Sequence, residues 1–230
     1  VTTAAPFSPD WIAPRRAALV IVDMQVDFAA QEGVIGQMGV DMSGLTPALA
    51  AAERLAHAAR AAGAPVVFVG LFTSPDTDSP MWRERMARRG GNPDIESDLC
   101  RAGEGGSDFY GPKPLAGELV IEKTRYSAFA GTDLAARLRA RGVDTLVLCG
   151  LTTECCVDCT ARDAFHADFH VFVPADACAA YEPDVHEAAL KIMGLNFAIL
   201  TDTDTVVEAW AAETKEKAAP GDRGGSIQRR

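Results

Sequence analysis

The sequence predicts an α/β protein: a doubly wound, mainly parallel six-stranded sheet with helices on both faces. Three observations lead there. Short, continuous apolar runs recur along the chain without polar alternation, as strands buried on both faces require. Between them lie segments whose apolar residues fall at helical spacing, so strand and helix alternate. Several runs also stop abruptly at residues able to do chemistry, at Asp23, at Lys123 and at the Gly150 turn leading to Cys155 and Cys156. The carboxyl edge of a doubly wound sheet is where ligands collect.

In chain order, a Pro-rich lead (Pro6, Pro9, Pro14) precedes the first strand, residues 17–22, which ends at Asp23. A carboxylate at the end of a buried strand must find partners, because an isolated buried charge is very costly. Residues 31–43 read as loop, broken by Gly33, Gly36 and Gly39. Residues 45–62 are Ala-rich with Leu49, Leu55 and Ala59 on one face, a crossover helix that Gly63 ends. The second strand, 64–72, carries Pro65 at its entry, where a missing N–H is tolerated. Residues 73–113 form the longest irregular region, with a short helix expected over 81–89; long loops in compact domains tend to be lids. Trp82 there offers an aromatic wall, and Arg83, Arg85, Arg88 and Arg89 offer a carboxylate reader or else a solvated basic face.

The third strand, 117–123, ends in Lys123. A helix capped by Thr132 runs through Leu134 and Leu138 to Gly142, and the central strand 143–149 follows. After Gly150 comes a polar turn and a helix, and a cysteine held at such a helix start has its thiolate favoured. Both Cys155 and Cys156 compete for that position. A strand at 169–174, a helix at 183–194 with Pro183 in its first turn, a strand at 196–200 and a helix at 204–217 complete the domain. One domain over residues 1–217 is expected, and the Gly-, Pro- and charge-rich residues 218–230 are expected to be disordered.

Composition bounds the function. A chain of 230 residues buries about 70% of its unfolded surface without needing disulfides. A net charge of −10 speaks against nucleic acid or an anionic membrane as partner, since both reward clustered Lys and Arg. No apolar run approaches a membrane span, and the opening residues lack a basic start followed by an apolar core. Six cysteines without framework spacing then read as reduced thiols of a cytoplasmic protein.

The stretch G-L-T-T-E-C-C-V-D-C-T-A-R-D-A, from Gly150 to Ala164, carries the pattern G-x-x-T-x-x-C-V-x-x-T-A-x-D-A. It resembles the signature of the isochorismatase-like cysteine hydrolases, a group spanning nicotinamidases, N-carbamoylsarcosine amidases, ureidoacrylate amidohydrolases and biuret hydrolases. D-M-Q-V-D-F at 23–28 and K-T-R-Y-S-A-F-A-G-T-D-L at 123–134 resemble two further elements of that family. The resemblance implies a three-layer Rossmann-type sandwich and a triad of Cys156 as nucleophile, Asp23 as general base and Lys123 as fixed cation. It implies a cis bond between Leu151 and Thr152, beside an oxyanion hole formed near Thr152 and Cys156. Gln25, Phe28, Trp82, Tyr126, Phe129, Thr152 and Asn196 are the candidate substrate contacts.

The implied activity is hydrolysis of a linear C–N bond in a small ureido or N-carbamoyl compound, with no cofactor, by a homo-oligomer (dimer or tetramer). A simple carboxamide such as maleamate or nicotinamide is the alternative substrate. The nicotinamidase branch holds a metal through D-x-H…H after the second strand, and here residues 71–80 contain no histidine, so no metal is expected. The M-G-V-D-M-S segment at 38–43 resembles one found in the ureidoacrylate and biuret branches. Two readings of another class stand beside these. Cys156 and Cys159 form a C-x-x-C suited to thiol–disulfide exchange, and a catalytically silent relative would be an oligomeric binding protein.

Overall fold

β1 (Ala17–Val22) is fully buried because all six of its residues are apolar and both of its neighbours pair with it. In the computed structural model, which describes residues 6–218 with side chains through residue 214, β1 is hydrogen-bonded to β2 (Val66–Leu71) and to β4 (Thr145–Leu151). The sheet order is β3-β2-β1-β4-β5-β7, where β3 is Leu119–Lys123, β5 is His170–Pro174 and β7 is Ile199–Thr201. Every pairing is parallel. The chain therefore winds outward from β1 through β3, then returns to β4 and winds the other way. Right-handed crossovers put the helices of the two halves on opposite faces, and a crevice opens where the winding reverses, between β1 and β4.

Where six strands were expected there are seven. The extra one, β6 (Cys178–Ala179), pairs with Gly150 and Leu151 at the end of β4 and is too short to register as an apolar run. The stretch after β1 also differs from the expected loop. Ahead of the expected loop at 31–43 stands a single-turn helix, α1 (Val26–Ala29), and within it another, α2 (Val34–Gln37), before the long α3 (Thr46–Ala62). Gly63 closes α3 in the left-handed conformation that glycine adopts freely, with φ 77°.

The irregular region after β2 contains α4 (Pro80–Arg88), close to its expected span, and α5 (Pro93–Ser97), which was not anticipated. Both start with proline and are capped by a side chain, from Ser79 onto Trp82 N–H and from Asn92 onto Asp94 N–H. α6 (Leu134–Arg139) is shorter than expected, and Thr132, the expected cap, accepts Leu134 N–H at 3.4 Å while donating to the Ala128 carbonyl.

After β4 the chain makes a π-helical turn, Thr153–Val157, and continues as α7 (Asp158–His166). α8 (Pro183–Asn196) runs two residues past its expected end, which pushes β7 later. α9 (Thr203–Ala218) returns to pack along α3 and the N-terminal turn. The disorder expected from residue 218 onward falls, from residue 219, outside the described residues.

Candidate active site

Asp23 follows β1 directly, Lys123 is the last residue of β3, and Cys156 sits in the π-helical turn after β4. Parallel winding brings all three to one edge of the sheet. Lys123 Nζ lies 2.7 Å from Asp23 Oδ2 and donates to Cys156 Sγ at 3.6 Å and to the Arg125 carbonyl at 3.0 Å. The ion pair is almost wholly dry, with the side chains 0% and 1% exposed. Asp23 has φ 50°, the left-handed region, so the chain leaves β1 on an unusual bend at the residue whose carboxylate faces the site. Its oxygens face the Lys123 ammonium and the Cys156 thiol, so the carboxylate stands beside the proton it would have to take.

The electrostatics follow from this burial. Desolvation raises the Asp23 pKa above the ordinary aspartate value, opposed by the Lys123 charge and by a hydrogen bond with Cys156. Burial works against the Lys123 ammonium, but the charges of Asp23 and Cys156 outweigh it and hold its pKa above the usual lysine value. A hydrogen bond with Cys155, desolvation and the Asp23 charge together push the Cys156 thiol well above its ordinary range, against the pull of Lys123. Against the pull expected from the helix start, the Cys155 hydrogen bond and the loss of solvent, with the Asp23 charge added, favour the protonated sulfur in the free protein.

The three groups form the floor of a cavity of about 150 Å³, the size of a small metabolite. Leu151 and Thr152, joined by a cis peptide bond, contribute to its wall together with Cys155. Phe28, Trp82 and Tyr126 line it as the sequence suggested, and the Trp82 and Tyr126 rings lie 5.1 Å apart. Burial and the neighbouring Cys155 raise the Tyr126 pKa, opposed by Arg85 and Arg89, so its phenol keeps its proton.

Three expected contacts lie elsewhere. The Gln25 side chain is fully buried, its amide donating to the Leu71 and Ser107 carbonyls while its oxygen accepts Leu71 N–H; it clamps the end of β2 and has no group left for a ligand. Phe129 packs on Phe169, 5.9 Å away, and is not among the residues lining the cavity. Asn196 is the last residue of α8, where its amide donates to the Ile192 carbonyl at the surface. The 38–43 segment does not reach the cavity either; Met42 joins the core, and the neighbouring Ile35 is what lines the wall.

Sequence reasoning missed Tyr181, which follows β6, lines the cavity and donates from its hydroxyl to the Phe28 carbonyl at 2.9 Å. Its position just beyond a strand at the ligand-bearing edge was the available signal, hidden because β6 itself was not foreseen. All six cysteines are free, and Cys159 of the C-x-x-C does not line the cavity. Among the described residues no group of three or more His, Cys, Asp or Glu is arranged to hold a metal ion.

Against known proteins, the family model described as "Isochorismatase domain" matches residues 17–205. The ureidoacrylate amidohydrolase RutB of Serratia proteamaculans is 33% identical to this chain, over 95% of it and 93% of its own length. The ureidoacrylate amidohydrolase RutB of Methylobacterium radiotolerans is 35% identical, over 93% of this chain and 87% of its own. Among solved structures, a cysteine hydrolase from Pseudomonas syringae pv. phaseolicola superposes with a TM-score of 0.76 at 26% identity, covering 88% of this chain and 96% of that one. With a parallel sheet of this order, and with a family match running from the first strand to the start of the last helix, the chain belongs to the isochorismatase family.

Proposed function

We propose that the protein is a cysteine-dependent amidohydrolase that opens the linear C–N bond of a small ureido or N-carbamoyl compound. The observation that carries the reading is the meeting of Asp23, Lys123 and Cys156 at the floor of one enclosed cavity. The printed activity of the two ureidoacrylate amidohydrolase relatives supports the ureide substrate class.

In this reading the roles follow from the resting protonation states. Because Cys156 rests as a thiol, attack on the carbonyl carbon has to be accompanied by transfer of its proton to Asp23. The Lys123 ammonium, held charged by its neighbours, balances the sulfur as it becomes anionic. The N–H groups of Thr152 and Cys156 take the developing oxyanion; a donor of that kind is worth roughly 3 to 4 kcal/mol in comparable enzymes. Breaking the C–N bond lets the leaving nitrogen collect the proton from Asp23. Water, giving its proton to the same carboxylate, then attacks the thioester-like carbon; the C–S bond breaks and Asp23 returns the proton to the released Cys156 sulfur. No step calls on a metal or an organic cofactor.

The reading includes a reducing, cytoplasmic setting, supported by six free cysteines, and a homo-oligomer, supported by exposed apolar residues such as Leu195, Ile192 and Ile199. No described helix is long and apolar enough to cross a membrane.

The test is ammonia release from a panel of ureido acids, biuret, N-carbamoyl amino acids and simple carboxamides, run beside Cys156→Ala. Turnover of a ureide by the unmodified protein, lost by about 10⁴-fold or more in the variant, is the expected result; catalytic groups acting as a unit lose activity on that scale. Ureide turnover that survives in Cys156→Ala defeats the proposal. A preference for simple carboxamides would move the substrate class, and disulfide reductase activity would favour the C-x-x-C reading.

A further inference from the structure

The turn that carries Cys156 is held from two sides. In the cavity Lys123 donates to the Cys156 sulfur. Within the turn the Thr152 carbonyl accepts the N–H groups of Cys155 at 3.1 Å and Val157 at 3.2 Å, the two neighbours of the nucleophile. Away from the cavity the anchor is Thr153, the first residue of the π-helical turn. Its hydroxyl lies 2.8 Å from Nδ1 of His186, which belongs to the first turn of α8 and is not among the residues lining the cavity.

This bond is more than a surface contact. Thr153 is wholly buried, and its hydroxyl has no other side-chain partner among the described residues, so without the ring it is left unpaired in the interior. The turn's other hydroxyl, on Thr152, bonds the exposed Glu154 at 2.9 Å, a partner that water can replace. Burial lowers the His186 pKa, opposed by Glu154 of the turn and Glu187 of its own helix, and the positive end of α8 also disfavours a cation there. The ring is therefore neutral at neutral pH, and a neutral Nδ1 pairs with a hydroxyl in either donor sense.

The segment leading into α8 is fastened at its other end as well. Tyr181 lines the cavity and donates to the Phe28 carbonyl at 2.9 Å. Residues 181–186 thus tie the chain that follows β1 to the chain that follows β4, across the crevice where the winding reverses.

Within the hydrolase reading, we propose that His186 is a positioning residue: through Thr153 it sets where the Cys156 turn sits, and so aims the sulfur and the N–H groups that receive the oxyanion. It touches neither the substrate nor the reacting atoms. A misplacement of about 1 Å in such a turn slows the chemistry by about 100-fold while the walls that bind substrate stay in place.

The test compares His186→Phe, which keeps a ring but no Nδ1, with His186→Asn, whose amide puts a polar atom near where Nδ1 stood. Thr153→Val, which trades the hydroxyl for a methyl, and the double variant of His186→Phe with Thr153→Val complete the set. On an accepted ureide, His186→Phe and Thr153→Val should each lose about 10- to 100-fold in kcat with KM little changed. The double variant should lose no more than the worse single one, and His186→Asn should recover part of the rate. A second readout needs no turnover: the rate at which iodoacetamide alkylates Cys156, followed by tandem mass spectrometry, should move the same way in both single variants and return toward the unmodified rate in His186→Asn.

Unchanged kcat in both single variants, losses that multiply in the double variant, or a His186→Asn no better than His186→Phe would overturn the proposal while leaving the hydrolase intact. Should His186→Phe fail to fold, Thr153→Val and His186→Asn carry the same comparison. If the unmodified protein releases ammonia from none of the ureides, the hydrolase reading fails, and the alkylation rate still decides the role of His186: a rate unchanged in the variants removes it too.

Discussion

At the scale of single residues, the Asp23–Lys123 pair sets both stability and chemistry. Each charge is tolerated in the dry interior because the other is there, so removing one leaves an uncompensated buried ion, which costs about 3–5 kcal/mol. Lys123→Met should therefore lower the unfolding free energy measured in urea by that amount, and the double variant Asp23→Asn with Lys123→Met should regain most of it. The direction of the Asp23 shift also fixes a pH dependence. The carboxylate must be ionised to accept the thiol proton, and burial raises its pKa, so kcat/KM should fall toward acid with a midpoint above 3.8, the ordinary aspartate value. A pH–rate profile on any accepted ureide checks this, and a midpoint at or below 3.8 would count against Asp23 as the base. These residues were legible in the sequence because each ends or follows an apolar run and sits in a family motif. Gln25 and Asn196 were misjudged because sequence shows that a residue is near an edge, not which way it points. Gln25 turns toward Leu71 and Ser107, and Asn196 stays on an α8 that runs longer than its glycine suggested.

At the scale of elements, the end of β4 is the most tightly fitted piece of backbone. Gly150 has φ 133°, and a Cβ there would lie 2.1 Å from the Val22 carbonyl oxygen of β1. Gly150→Ala should force β1 and β4 apart just before Asp23 and Thr152. The expected outcome is a protein that folds poorly or, if recovered, has Cys156 alkylated faster than in the unmodified protein. The Gln25 clamp belongs to the same region. Losing its three hydrogen bonds to Leu71 and Ser107 in Gln25→Ala leaves buried backbone groups unpaired, so a loss of about 1–3 kcal/mol is expected in thermal or urea unfolding. The long strands and α3 could be read from the sequence because their apolar pattern extends over six residues or more. β6, α1, α2, α5 and the π-helical turn could not. Each is two to five residues long and held by tertiary partners such as β4 or a capping side chain, leaving no periodicity of its own.

At the scale of the molecule, the two ends of the domain are fastened together. Trp210 of α9 is buried, and its indole N–H donates at 2.7 Å to the carbonyl of Ile12, 198 positions away. Trp210→Ala should cost about 3–5 kcal/mol through lost packing and should expose the N-terminal turn to limited proteolysis. The sheet class and winding were readable from the alternation of strand and helix. The cavity was not, because its wall joins residues from Phe28 to Tyr181 that no local pattern connects. The strand order carries one more implication. Lys123 stands on β3 and Asp23 follows β1, so β2 lies between them, and two strand spacings amount to about 9–10 Å. Bridging that gap takes a long unbranched stem, and an amine on a shorter tether would stop over Leu71 before meeting the aspartate. The choice of lysine is thus dictated by the sheet's width at this point as much as by the charge it delivers.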